Sequence, residues 1–273
     1  NSEFMKAGFE AQLRSIVMLK NRNKTLPLSK NKSVYIPKRP SPAGRNFFME
    51  SARESFAYPV NINVVKNYFN LTENPDEADF ALVVINSPSS GNGYDRNDAG
   101  RGGNGYVPIS LQYLSYDAAE ARDPSIAGGD PLEKFTNRTY RGKSVIASNI
   151  IDLKMVLDTK QVMGDKPVVV VIRMSNPMVF NEFEEFVEAI LVAFGVQDQA
   201  IMEIISGNAE PSGLLPVQMP SDMSTVEKQF EDVPFDMICH TDSEGNSYDF
   251  GFGLNWNGII KDSRTEKYRS SSE

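Results

Sequence analysis

The chain has 273 residues, 28 Lys and Arg against 36 Asp and Glu, a net charge of −8 and 40% apolar side chains. That apolar share can fill the core of one large domain or two small ones, and without a basic face nucleic acid is not an expected partner. No apolar run approaches the roughly 20 residues that cross a bilayer, so no membrane span is expected. One cysteine, Cys239, and one histidine, His240, leave no set for a disulfide framework or a Cys/His metal site. They also make Ser-His-Asp catalysis a poor fit, and the pair reads as a partly buried loop. The chain lacks a signal peptide and does not begin with Met, so it reads as a piece of a longer protein.

In chain order, Met5 to Lys20 sets Phe9, Leu13, Ile16, Val17 and Leu19 among charges, the pattern of an amphipathic helix. Val34 to Ile36 reads as a short strand closed by Pro37, and 38–58 as an irregular loop. Ile62 to Phe69 has helical spacing, and Asn74 to Asp79 looks like a short acidic helix start. Phe80 to Ile85 is an apolar strand. It runs into the least regular stretch of the chain, Asn86 to Gly105, which holds six glycines. Tyr106 to Tyr116 is β-rich, Asp117 to Arg122 a helical turn, and Gly128 to Pro131 a turn. Lys143 to Ala147 reads as a strand and Ile151 to Met163 as an amphipathic helix.

Val168 to Ile172 is five consecutive β-branched residues, a strand apolar on both faces. After the Ser175-Asn176-Pro177 turn and a charged segment, Ala189 to Phe194 is a second such run. Two doubly buried strands joined by a short crossover predict a parallel sheet. Gln199 to Ser206 reads as a helix and Leu215 to Met219 as a short strand. Residues 220–249 read as polar loops, and the tail from Lys261 as polar, with disorder at its end. Strand and helix signals alternate, so the class is α/β with a mainly parallel sheet of about five or six strands.

In such sheets ligands collect beyond the carboxyl ends of the strands, which directs attention to the loop after Phe80 to Ile85. Gly100-Arg-Gly-Gly-Asn-Gly105 satisfies G-x-G-x-x-G, but about a dozen polar residues separate it from the strand and Tyr106-Val-Pro108 does not start a helix, so no dinucleotide site is expected. There is no P-loop. Asn92, Tyr94, Asp95, Arg96 and Asp98 in this loop suit a polyhydroxylated ligand: amides and carboxylates bond hydroxyls, and a Tyr ring covers a sugar face. Glu182, Glu184, Glu185 and Glu188 read as a solvated helix face rather than paired acids. Two sequons, Asn70-Leu-Thr72 and Asn137-Arg-Thr139, matter only in a eukaryotic secretory setting.

Four segments, Ser15 to Leu28, Pro167 to Phe194, Gly207 to Pro216 and Tyr248 to Leu254, taken in that order, resemble glycoside hydrolase family 3. Ser15-Ile-Val-Met-Leu-Lys-Asn21 with Leu26-Pro-Leu28 is similar to the approach to that family's second domain. Pro167 to Phe194 resembles its strand, N-x-x-P turn and "ILVAW" strand. Gly207 to Pro216 is similar to its G-x-x-x-P-S-G-x-L-P segment. Tyr248 to Leu254 resembles its Y-x-F-G-x-G-L closing motif. The resemblance implies an α/β three-layer sandwich with a mainly parallel sheet of about six strands and helices on both faces. It would occupy 26–260, after a linker and leading helix over 1–25 and before a polar tail over 261–273.

It also implies a retaining exo-acting β-glycosidase of β-glucosidase type, with a β-linked sugar as substrate and no cofactor or metal. Its partner is an N-terminal barrel of the same enzyme that carries the aspartate nucleophile, so the isolated domain should be inactive. The implied location is periplasmic or secreted. In some bacterial members the loop reads S-G-E-G-Y-D-R with Glu as acid/base, whereas this chain reads Ser90-Gly-Asn92-Gly-Tyr94-Asp95-Arg96. Asn92 gives up no proton. Asp95 and Asp98 are left as acid/base candidates, because an apolar or anionic setting raises a carboxyl pKa. Asn92, Tyr94 and Arg96 are left as sugar-binding candidates. The alternative is a non-catalytic carbohydrate-binding or interaction module.

Overall fold

The computed structural model describes residues 2–41, 44–45, 51–121, 139–230, 233 and 235–267. Helix α1 (Ser2–Ser15) leads into β1 (Val17–Asn21), β2 (Ser33–Tyr35), β3 (Arg39–Ser41), β4 (Gly44–Arg45), β5 (Ser51–Ala52) and β6 (Ser55–Ala57). Then come α2 (Ile62–Val65), β7 (Asn70–Thr72), β8 (Phe80–Asn86), α3 (Arg96–Gly100), β9 (Tyr116–Asp117) and β10 (Ser144–Val145). The chain continues through α4 (Ile151–Met163), β11 (Val168–Arg173), β12 (Ala189–Ala193), α5 (Asp198–Ile205), α6 (Met223–Lys228), β13 (Leu254–Asn255), β14 (Gly258–Ile259) and α7 (Ser263–Lys267).

One sheet organises these elements, in the order β14-β13-β1-β12-β11-β8-β2-β7. From β12 to β7 all neighbours are parallel, with Val169 opposite Ala189 and Val168 opposite Ala81. β1, β13 and β14 extend it antiparallel. Eight strands therefore replace the expected six, and the mainly parallel α/β sandwich holds. The additional strands are short or disguised. β13 and β14 have two residues each, too few for a period to show.

β1 was disguised because its residues continue the helical spacing of α1. The helix expected over 5–20 ends at Ser15. Ile16 to Lys20 are fully buried as the chain becomes a strand with Val17 opposite Val192 and Met18 opposite Leu254. Partners distant in sequence override the local pattern.

The doubly apolar strands are explained by what covers each face. Val168, Val170 and Ile172 pack in one cluster with Leu153 and Val156 of α4. Val169 and Val171 pack in the other with Val65 of α2 and Ile201 and Ile205 of α5. A strand covered on both sides has no solvated face, so alternation disappears. Each fully buried Val or Ile is worth about 1.5–3 kcal/mol relative to exposure.

Elsewhere the pattern misled. Residues 38–58, expected to be irregular, contain the antiparallel pairs β3–β6 and β4–β5. The helix expected over 62–69 is a single turn, α2, capped by the Asn61 side chain, which accepts from Asn63 N at 3.0 Å. The strand expected at Leu215 to Met219 forms no ladder. Leu215 and Met219 each donate once, to Phe252 O at 2.8 Å and Tyr248 O at 3.0 Å. The loops of 220–249 include α6, and the polar tail includes α7. The turn at 128–131, the sequon at Asn137 and the end of the tail lie outside the described residues.

Two motif glycines have a packing reason. A Cβ on Gly213 would fall 2.4 Å from Ile16 O, and one on Gly253 would fall 2.3 Å from Gly213 O. Gly213 N also donates to Ile16 O at 3.1 Å. Backbone presses on backbone here, joining β1 to the two closing motifs. Gly253→Ala is expected to cost about 2–4 kcal/mol, since neither neighbour is a side chain able to swing away. Chemical denaturation with an unchanged m-value reads this loss, and a cost below about 1 kcal/mol would refute the packing argument.

Candidate functional site

The candidate site is the arm that leaves the carboxyl end of β8. It runs out through Ser90 and returns through Ser110, and these two residues tie its base. Ser90 Oγ accepts from Ser110 N at 2.7 Å and donates to Ser110 O at 3.2 Å. Further out, Asp95 N donates to Gly105 O at 2.8 Å and Val107 N to Gly93 O at 3.1 Å. Tyr94 and Tyr106 face each other across the arm, edge to face, with centroids 5.9 Å apart. Gly105 is required by this pairing. Its φ is +80°, and a Cβ would stand 2.3 Å from the Tyr94 ring.

The helix expected to be missing after the glycine run is indeed absent, and a short one, α3, lies inside the loop instead. Asp95 is its cap: the carboxylate accepts from Asn97 N at 2.8 Å. Asp98 turns back to the returning strand of the arm. Its Oδ2 accepts from Gly105 N at 2.8 Å and from Lys143 Nζ at 2.7 Å. Lys143, first, and the Gly105 amide hold the Asp98 carboxyl below its ordinary range. A general acid needs the opposite shift. Lys143 Nζ also donates to Asn104 Oδ1 at 2.6 Å and Tyr106 O at 2.7 Å, so one ammonium latches three points of the loop.

The remaining candidates face outward. Asn92 and Arg96 are exposed, and Tyr94 is 48% exposed. Asn92 Oδ1 accepts from Tyr94 N at 3.2 Å, leaving its amide N–H groups directed away from that contact. An aromatic face beside an amide and a guanidinium is a surface that can cover a sugar ring and bond its hydroxyls.

Lys143 was missed from sequence. It stands in what read as an unremarkable strand, and no motif marks a partner so far along the chain. The structure also overturns the reading of the four glutamates as a solvated helix face. Glu184 to Phe186 is one 3-10 turn, and Glu184 and Glu188 are 3% and 9% exposed. Glu182 accepts from Tyr113 N and Leu114 N, both at 2.7 Å, pinning the segment that follows the loop. Burial pushes its carboxyl up and those two amides pull against that. Glu188 accepts from Arg22, Lys160 and Val168 N.

Glu184 receives the fully buried Lys20, with Ser243 N and Oγ, and His240 Nε2 lies 3.5 Å away. Burial alone would raise this carboxyl, but His240, Lys20 and Ser243 together bring it down to about 2. The Cys239 thiol is pushed up to about 11, mainly by burial, which makes it a poor nucleophile.

Among the described residues no group of three or more His, Cys, Asp or Glu side chains is placed to hold a metal ion, and no helix is long and apolar enough to cross a membrane.

Known proteins similar to this chain in sequence or in fold are consistent with one another. The family described as the glycosyl hydrolase family 3 C-terminal domain matches residues 152–256. Beta-glucosidase C of Emericella nidulans is 28% identical over 257 residues, which is 94% of this chain and 31% of that protein. The periplasmic beta-glucosidase/beta-xylosidase of Dickeya chrysanthemi is 25% identical, over 93% of this chain and 28% of its own length. The chain thus spans about a third of the curated relatives it matches. Beta-glucosidase 3B from Thermotoga neapolitana, solved with alpha-D-glucose, shares the fold with a TM-score of 0.52 at 16% identity, over 93% of this chain and 38% of that one. The matched segment runs from the first turn of α4 to the turn after β13 and takes in both central strands, β11 and β12; over it the chain is similar to the glycosyl hydrolase family 3 C-terminal domain.

Proposed function

We propose that the chain is the second domain of a retaining, exo-acting β-glycosidase of β-glucosidase type, completing the active site of an N-terminal barrel that carries the nucleophile. The observation that carries this reading is the glycine-rich arm at the carboxyl end of β8, which holds Asn92, Tyr94 and Arg96 outward on a latched frame. In this reading those three residues contact a β-linked sugar. The relatives whose names include beta-glucosidase support the substrate class, and the share of their length that the chain spans leaves room for a barrel.

The proton needed by the departing oxygen is then assigned within the arm by elimination. Asn92 holds no transferable proton, and Asp98 is kept ionised by Lys143. Asp95 is the remaining carboxyl of the pair, and one of its oxygens caps α3. In the full-length protein, Asp95→Asn is expected to lower kcat on substrates with poor leaving groups by about 10²–10³-fold and to flatten the alkaline limb of the pH–rate profile. Asp98→Asn should raise KM and leave that limb in place. If neither variant alters the pH profile, the arm gives no proton. The second reading, a carbohydrate-binding arm without acid/base work, then takes over; the Lys143–Asp98 pair is what favours it.

A further inference from the structure

In chain order the parallel strands are β2, β7, β8, β11 and β12, and in space they run β12-β11-β8-β2-β7. The winding reverses between β2 and β8. In doubly wound sheets of this order, the crevice at the carboxyl ends of those two strands is the usual ligand site. Here that crevice is filled by the protein itself. Arg39, which follows β2, sends its guanidinium to Asp152 on the first turn of α4, whose side chain is 0% exposed. With the Asn86 amide turned so that its oxygen faces Arg39, it accepts from the two terminal nitrogens at 2.7 and 3.1 Å.

The same plug grips the root of the glycine-rich arm. Asn86 N donates to Asp152 Oδ2 at 3.1 Å, and Asn86 O accepts from the Tyr113 hydroxyl. Asn149 Nδ2 donates to Ser87 O at 3.1 Å and Asp152 Oδ2 at 3.0 Å, and its Oδ1 accepts from Ser89 N at 2.8 Å. The backbone groups of the last β8 residue and several of the first bonds of the arm are therefore met by Asp152, which pairs with the partly buried Arg39, by the Asn149 amide and by the Tyr113 hydroxyl. A partly buried ion pair adds little over apolar packing of the same shape, but the two guanidinium nitrogens that meet the Asn86 oxygen fix direction.

We infer that Arg39, Asp152 and Asn149 are positioning residues: they close the switch-point crevice and set the direction in which the arm carrying Asn92, Tyr94 and Arg96 leaves the sheet. This rests on the proposed function for its sugar-binding half, and on geometry alone for the ordering of the arm. The two halves have separate readouts in the full-length protein. Arg39→Met with Asp152→Asn removes both charges and keeps an acceptor for Asn86 N; Asn149→Ala is the second variant, should the first not fold.

Trypsin cleavage after Arg96 and Arg101, both exposed, is expected to quicken about tenfold while cleavage elsewhere and the unfolding midpoint stay put. On an aryl β-glucoside, KM should rise about tenfold with kcat within a factor of three, and Arg39→Lys alone should restore part of the protection. Unchanged cleavage in the arm overturns the inference whatever happens to activity. Faster cleavage with unchanged KM overturns its sugar-binding half. If the unaltered protein hydrolyses no β-glycoside, it is the proposed function that fails, and the cleavage result still decides the clamp.

Discussion

Lys20→Met is expected to destabilise the protein by about 3–5 kcal/mol, the cost of leaving one member of a buried ion pair alone. Lys20 is 0% and the Glu184 side chain 4% exposed. The ammonium donates to Glu184 O at 2.7 Å and Ser243 Oγ at 2.8 Å as well as to the carboxylate. Without it, the buried carboxylate loses one of the groups that hold its pKa down and keeps only Ser243 and a histidine nearby.

Glu184→Gln should cost a similar amount by stranding the ammonium, whereas Lys20→Met with Glu184→Gln together should recover most of the loss. Ser243 N keeps an oxygen to bond, and no charge is left over. Calorimetry should place the single variants roughly 10 °C below the parent. If the double variant is as unstable as the sum of the singles, the pair is not coupled and the argument fails.

The same group gives a pH signature. The Glu184 carboxyl is depressed in the folded state, so its contribution is present above the ordinary glutamate range near 4.5 and is lost as pH falls toward 2. Up to about 3 kcal/mol is at stake over that window. Acid unfolding should therefore steepen below pH 4.5 in the parent and be shallower in the neutral double variant.

Lys143→Met is the second large effect. It removes the donor shared by Asp98, Asn104 and Tyr106. Global stability should fall by no more than about 1–2 kcal/mol, because the latch is partly solvated and holds one loop. The loop itself should lose its shape. Under the proposed function, KM for a β-glucoside should rise about tenfold or more while the protein remains folded. Hydrogen exchange at the Gly105 and Val107 amides should quicken in parallel. Because Asp98 is held below its ordinary range, the latch is complete above that range and is released as pH falls through the folded value. The parent's KM should rise on acidification, and the KM of Lys143→Met should not follow it. A KM indifferent to both the substitution and acid would remove this loop from sugar binding.

The elements legible in sequence were those whose pattern is set locally. The amphipathic stripe of Ile151 to Met163 gives α4 with the same bounds, and the β-branched run at 168–172 gives β11. What escaped was set by distant partners. Val17 to Asn21 has no strand signature of its own and becomes β1 because β12 and Leu254 flank it. Lys20 and Glu184 look like surface charges until the fold brings them together. The arm after β8 was legible from its glycines and polar side chains, but not the division of labour within it. Asp95 and Asp98 are the same residue type three positions apart. Only Lys143, supplied from beyond a long excursion of the chain, separates a cap from a latch.

The position of β1 has a kinetic consequence. A strand made early in this domain is completed on one side by residues 189–193 and on the other by Leu254. During synthesis it stays without ladder partners until almost all of the domain has been translated, while β2, β7, β8 and α4 can assemble earlier. Closure of the sheet around β1 is then a late step governed by contacts of long sequence separation, which are slow to form. Until that step, the apolar stretch Ile16 to Leu19 and the open edge of β12 are the surfaces by which nascent chains would find one another.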